Sequence, residues 1–251
     1  MKQFIFAILC SCFIAPTAFA AGDAPKPEKQ IWSFKGAFGT FDRAALQRGF
    51  QVYKEVCAVC HSMNHLSYRN LADLGFNDAE IKAIAAEYTV VDGPNDEGEM
   101  FDRPGKPSDK FVNPYPNQKA ARAANNGAYP ADLSLMTKAR LGGADYVYAL
   151  LTGYKEPPEG FDLQGGMAYN EYFPGHQISM PVPLMEGQVE YADRTKATVE
   201  QMARDVTTFL AWAAEPEMEK RKQLGIAVLI YLGLFTLLMY FGMRRVWARL
   251  K

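Results

Sequence analysis

The sequence predicts a mainly α protein, a domain of short helices joined by long loops and followed by a single C-terminal transmembrane helix. Three observations carry that expectation. Apolar residues recur at intervals of three and four in two segments: Leu46, Phe50, Tyr53 and Cys57 early, and Val199, Met202, Val206, Phe209, Leu210 and Ala213 late. Between them lie stretches rich in Gly, Pro, Asp and Asn, with little sign of strands. Finally, Leu224 to Met243 holds no charged residue and, at ~1.5 Å per residue, is long enough to cross a bilayer.

The ends set the compartment. Lys2, the apolar run Phe4 to Ile14 and the small-x-small triplet Ala18-Phe19-Ala20 form a cleavable export signal, too short to serve as a membrane anchor. Cleavage removes Cys10 and Cys12 and leaves Cys57 and Cys60 as the mature cysteines. Arg244, Arg245, Arg249 and Lys251 follow the apolar run and favour a cytoplasmic tail; Lys220, Arg221 and Lys222 on the other flank blur that signal. Export settles the orientation. The expected division is signal peptide 1–20, exported domain 21–222, transmembrane helix 223–243 and tail 244–251. A net charge of −1 gives no reason to expect nucleic acid as a partner.

In chain order, residues 21–29 read as a loosely held lead. A helix beginning after Asp42 delivers the cysteines. Residues 64–90 read as one or two short helices, Asp78 to Glu87 being the clearer. Residues 90–117 read as a long loop without periodicity. "PADLSLMTKAR" and "GADYVYALLTGY" resume helix, the second capped at Gly153. Another Gly- and Pro-rich stretch fills 154–195. Thr198 and Gln201 then form a capping box for the last soluble helix, which Pro216 stops or kinks. Such a domain has a thin core of its own.

"EVCAVCHSM" at 55–63 suggests what completes it. A disulfide between cysteines three apart closes a tight ring and gains little loop entropy. A redox pair of the thioredoxin kind needs a βαβ setting, and a structural zinc site needs a fourth ligand. Covalent attachment of one haem c uses every residue: Cys57 and Cys60 as thioethers, and His61 as the ligand beneath the iron. For the sixth position, His65 and Met63 lie on the same side as His61, and Met202 belongs to the core stripe. Met100, Met136, Met167, Met180, Met185, Met218 and His176 remain, with Met180 favoured by its Pro-stiffened loop and Met185 and His176 as its main rivals. A vacant sixth position would instead suit a peroxidase or gas sensor. Arg140 taken alone reads as a solvated helix end. The acidic residues Asp92, Asp96, Glu97, Glu99 and Asp102 read equally as a solvated surface or as a docking face for a basic partner.

The blocks "RGFQVYKEVCAVCHSM", "DGPNDEGEMFDRPGKPSD", "NPYPNQKAARAANNGAYPADLS", "ARLGGADYVYALLTGY", "PGHQISMP" and "FLAWAAEPEMEKRK", in order from about Trp32 onward, closely resemble the cytochrome c1 family. That resemblance implies a class I cytochrome c-like haem domain with long loop insertions. It makes Met180 the sixth ligand, places Arg140 and Tyr146 at a haem propionate, and sets Pro130 near the carbonyl that meets the proximal histidine. Family members often carry a second proline where this chain has Ala131. The resemblance further implies an electron-transfer subunit of a quinol–cytochrome c oxidoreductase, or bc1, complex in a bacterial inner membrane, with the haem domain periplasmic. Its implied partners are cytochrome b, the Rieske iron–sulfur protein, a soluble or membrane-tethered cytochrome c and membrane lipid, in a dimeric complex. A free-standing membrane-anchored shuttle is the alternative.

Overall fold

The computed structural model describes residues 24–249; the proposed signal peptide, with Cys10 and Cys12, and the last two residues of the tail lie outside them. In chain order the helices are α1 (Arg43–Glu55), α2 (Asp78–Ala86), α3 (Gln118–Ala124), α4 (Met136–Ala139), α5 (Ala144–Thr152), α6 (Val199–Ala214) and α7 (Met218–Ala248). Two antiparallel strand pairs interrupt them, β1 (Thr89–Asp92) with β2 (Phe101–Pro104), and β3 (Ala168–Tyr169) with β4 (Gln177–Ile178).

α1 starts where the sequence marks it. The Asp42 carboxylate accepts from the backbone amides of Ala44 and Ala45 at 2.9 and 3.2 Å, satisfying two of the donors a helix start leaves open. At α6 half of the expected capping box forms. Thr198 Oγ1 accepts from the Gln201 amide at 3.1 Å, but the Gln201 side chain turns instead to Asp205 Oδ2 at 2.9 Å.

α1 and α6 cross, and their facing stripes make the core. Phe50 and Tyr53 meet Phe209 with ring centroids 5.7 and 5.5 Å apart. The helices touch at Gly49, where a Cβ would lie 2.1 Å from the Asp205 carbonyl oxygen and 2.8 Å from Phe209 Cβ. Beside it, Arg48 grips the buried Asp205 through Nε at 2.8 Å and Nη2 at 3.1 Å, and reaches Asp193 at 2.8 Å. A buried carboxylate is tolerable only with donors of this kind around it.

A strap packs over this pair. Trp32, Phe34 and Phe41 are buried, and Asp145 on α5 accepts from Gln30 N, Trp32 Nε1 and Lys35 Nζ at 3.1, 2.6 and 2.8 Å. The strap also holds the base of α7. Glu219 accepts from Phe41 N and Arg43 Nη2, both at 2.7 Å, while Lys222 Nζ donates to the carbonyls of Phe34 and Gly39 at 2.7 and 2.8 Å. α7 is long and apolar enough to cross a membrane, with mean hydropathy 2.3 over its most apolar 18 residues, and runs past both ends of the expected span 223–243. Its apolar side chains are exposed, as lipid contact requires.

Three local expectations change. The loop at 90–117 contains the β1–β2 hairpin, which the sequence hid because its strands are four residues long and carry no buried alternating face. Arg103 holds the hairpin base instead, paired with both Asp92 and Asp109. "PADLSLMTKAR" is helical only over Met136–Ala139, since Asp132 and Ser134 use their side chains to bind 62–65 rather than to continue a helix. Gly153 does end α5, but with φ −92°, not in the left-handed form. Glycine is needed there for space: a Cβ would sit 2.6 Å from Tyr172 Cδ2.

Gly49→Ala provides a sharp check of the crossing. In an exposed helix the change stabilises by about 1 kcal/mol; here it forces the helices apart and costs about 3 kcal/mol, read as a lower midpoint in denaturant.

Candidate haem site

The cysteine turn grows directly out of α1. After Val56 the backbone tightens into a 3-10 turn, Cys57–Val59, and the amides of Cys60 and His61 both reach the Cys57 carbonyl, at 3.2 and 2.9 Å. No disulfide joins Cys57 to Cys60. Burial, reinforced by Cys60, pushes the Cys57 thiol up to about 12, so it is protonated at neutral pH.

His61 faces a built partner. Its Nδ1 lies 2.7 Å from the Ala131 carbonyl oxygen. A carbonyl can only accept, so Nδ1 carries the proton and Nε2 keeps its lone pair for a metal. Burial lowers the His61 pKa, with the Ala131 carbonyl and the nearby Asp132 charge opposing it. Neutral imidazole is the ligating form. Pro130, expected near this carbonyl, is the residue just before it. Pro130 lines a half-open cavity of about 100 Å³ beside Cys60, together with Asn113, Tyr115 and Asn117, which leaves the next carbonyl to meet His61.

The segment 131–134 is fastened to the turn along its length. Asp132 accepts from Ser62 Oγ, Asn64 N and Asn64 Nδ2 at 2.8, 2.9 and 2.7 Å, and from Ser134 N at 2.9 Å. Leu133 N donates to the Ser62 carbonyl at 2.9 Å. Burial works against the Asp132 charge, yet Ser134, Asn64 and Ser62 hold its pKa below the ordinary carboxylate value. Sequence reasoning missed this residue; its signal was an Asp–x–Ser unit just after a proline, a pattern that binds backbone amides.

The remaining expected residues lie just ahead of α5, along it and in the loop that follows it. Arg140 is exposed beyond α4, and its charge acts on the half-buried Tyr146, whose pKa burial raises. Tyr146 in turn bears on Tyr154, also pushed up by burial, and the Tyr154 hydroxyl donates to the Met180 carbonyl at 3.2 Å. Met180 is half-buried two residues beyond β4. Met185 is 63% exposed. His176 stacks on Tyr169, and its Nδ1 is buried without a hydrogen-bond partner. Arg140, Tyr146 and Met180 thus belong to one neighbourhood, and Cys57, Cys60 and His61 to another, both packed on α6 through α4, α5 and α1. Asp96, Glu97, Glu99 and Asp102 are exposed on the β1–β2 hairpin.

The donor set fits haem. Two thiols, an imidazole oriented through its second nitrogen and a thioether on a separate loop match the chemistry of c-type attachment and axial ligation. Among the described residues no group of three or more His, Cys, Asp or Glu could hold a metal ion, so the zinc reading lacks its ligands.

Fold and site define a mainly helical, class I cytochrome c-like domain bearing a Cys-x-x-Cys-His turn and carried on one apolar C-terminal helix. The chain belongs to the Cytochrome C1 family, whose sequence profile matches residues 32–250. It is 54% identical over 220 residues to "Cytochrome c1-2, heme protein, mitochondrial" of Solanum tuberosum, covering 88% of this chain and 85% of that one. It is 49% identical to "Cytochrome c1" of Rhodospirillum rubrum, covering 89% and 88%. It is 52% identical to "Cytochrome b/c1" of Bradyrhizobium diazoefficiens, covering 89% of this chain but 36% of that protein, so the chain spans about a third of that relative's length.

Asp132→Ala should lower stability by about 2 kcal/mol, since it strands amides that now donate to the carboxylate. Because the folded pKa is depressed, the contribution is present above the ordinary value of about 4 and lost as pH falls through the lower folded value. Denaturant midpoints at neutral and acid pH check both: the wild-type and Asp132→Ala proteins should converge as the pH drops.

Proposed function

We propose that this chain is the haem c electron-transfer subunit of a bc1-type quinol–cytochrome c oxidoreductase, taking one electron from the Rieske iron–sulfur protein and giving it to a soluble or tethered cytochrome c. The observation that carries the reading is the pairing of His61 Nδ1 with the Ala131 carbonyl inside a Cys-x-x-Cys-His turn. Membership of the family supports it. So does the name "Cytochrome b/c1" of one relative, which points to cytochrome b as a partner here.

The chain's residues take distinct parts. Cys57 and Cys60 form the two thioethers, His61 ligates through Nε2, and Met180 ligates through sulfur. Arg140 supplies a permanent cation, and Tyr146 a hydroxyl donor, for the propionates. Bound haem supplies a one-electron couple whose potential a His/Met pair raises. Electron transfer of this kind requires no general acid or nucleophile from this chain, and quinol oxidation happens on other subunits. Residues 21–222 lie in the bacterial periplasm, 223–243 cross the inner membrane among lipid and cytochrome b, and 244–251 form the cytoplasmic tail, within a dimeric complex. The exposed carboxylates on the β1–β2 hairpin contribute long-range attraction, which in brief encounters serves the on-rate more than affinity.

Two measurements test this reading. Met180→Leu should lower the midpoint potential by well over about 100 mV in a redox titration; an unchanged value removes Met180 as ligand. An affinity-tagged chain extracted in mild detergent should bring down a cytochrome b and an iron–sulfur protein, whereas a lone pigmented chain would identify a free-standing shuttle.

A further inference from the structure

The stretch between α5 and Met180 is long, rich in Gly and Pro, and has no part in the chemistry described above. Its hydrogen bonds give it one. Asn170, fully buried, uses every polar group of its side chain. Its Nδ2 donates to the Leu150 carbonyl in the last turn of α5 at 2.8 Å, and its Oδ1 accepts from the amides of Tyr172 and Phe173 at 3.0 and 3.2 Å. Its own amide donates to the His176 carbonyl at 3.0 Å, while Glu171 N returns to the Gly153 carbonyl at 2.9 Å. Residues 154 and 170 pair as an antiparallel bridge. The β3–β4 pair then fixes Tyr169 against Gln177 and Ala168 against Ile178, two residues short of Met180. Tyr154, first in this stretch, closes the circuit by donating its hydroxyl to the Met180 carbonyl at 3.2 Å.

We propose that Tyr154 and Asn170 are positioning residues for Met180, and that residues 154–178 form a brace holding its thioether against iron. The inference rests on the proposed ligation by Met180. A sulfur–iron bond is weak and depends on the loop being held in place before it forms. Asn170 ties that loop to the rigid end of α5, and Tyr154 fastens the backbone of the ligand residue itself. The close approach at Gly153, which lets the Tyr172 ring lie against the helix end, leaves the brace little room to drift. Neither residue touches the iron; both act by keeping the ligated loop conformation populated.

The purified full-length holoprotein, reduced, is mixed with carbon monoxide, which can bind only when the sixth position opens. Tyr154→Phe removes one hydroxyl and keeps the ring. It should speed carbon monoxide binding about fivefold, the factor that one ordinary hydrogen bond carries, with the thermal unfolding midpoint unchanged. Asn170→Ser, if it folds, should speed it further and weaken the near-infrared sulfur-to-iron absorption of the oxidised protein. Met180→Leu is run alongside. Loss of that absorption in Met180→Leu with a wild-type binding rate in Tyr154→Phe overturns the brace alone. A lower unfolding midpoint in Tyr154→Phe with no change in binding rate also overturns it, assigning the hydroxyl a structural part only. Retention of the absorption in Met180→Leu overturns the ligand reading and the brace with it.

Discussion

The close crossing of α1 over α6 at Gly49 is the contact on which the remaining geometry depends. With no side chain between the backbones, the Asp205 carbonyl approaches α1 directly, Phe209 lies between Phe50 and Tyr53, and Arg48 finds Asp205 and Asp193 together. α1 is thereby fixed in direction as well as position. Its C-terminal end is where the cysteine turn begins, so the orientation of Cys57, Cys60 and His61 is inherited from a packing contact about two helical turns away.

Around that fixed turn, rigid helix and hydrogen-bonded loop divide the labour. The histidine side is secured by 131–134, which meets the turn through a carboxylate accepting four hydrogen bonds and a carbonyl directed at the imidazole. The methionine side is secured by loop contacts to the end of α5. Both loops would be poor structures alone, because neither buries much apolar surface. Satisfied polar groups hold them instead, and such contacts specify one geometry where apolar packing would tolerate several. The anchor is treated likewise: Glu219 and Lys222 tie the first turn of α7 to the strap over α1 and α6.

Much of this is legible in the sequence for a physical reason. Helix periodicity, caps and an uncharged apolar run are local signals, so α1, α2, α5, α6 and α7 can be read from them, as can the Cys-x-x-Cys-His turn. The misreadings fall where structure is set by distant partners. "TVVD" is β-branched but only four residues long, "FDRP" ends in proline, and neither strand buries an alternating face that would announce the pairing. Pro130 marks the neighbourhood of the carbonyl on His61 but not its owner, Ala131, because a backbone oxygen leaves no mark on a side-chain alphabet. Tyr154 and Asn170 are hidden because each acts on a segment far away along the chain, while Asp132 leaves only the local mark of its Asp–x–Ser unit. Gly153 falls at the expected place for a different cause, as a gap for Tyr172 rather than a left-handed cap.

Covalent bonding of a porphyrin through Cys57 and Cys60 is the proposal on which the functional reading rests. Extraction of the denatured, purified protein with acidified acetone tests that claim most directly. Colour should remain with the precipitated chain, and it should be absent from a chain with both cysteines replaced by serine. Pigment passing into the acetone from the wild-type protein would show the group to be held without covalent bonds and would contradict the account.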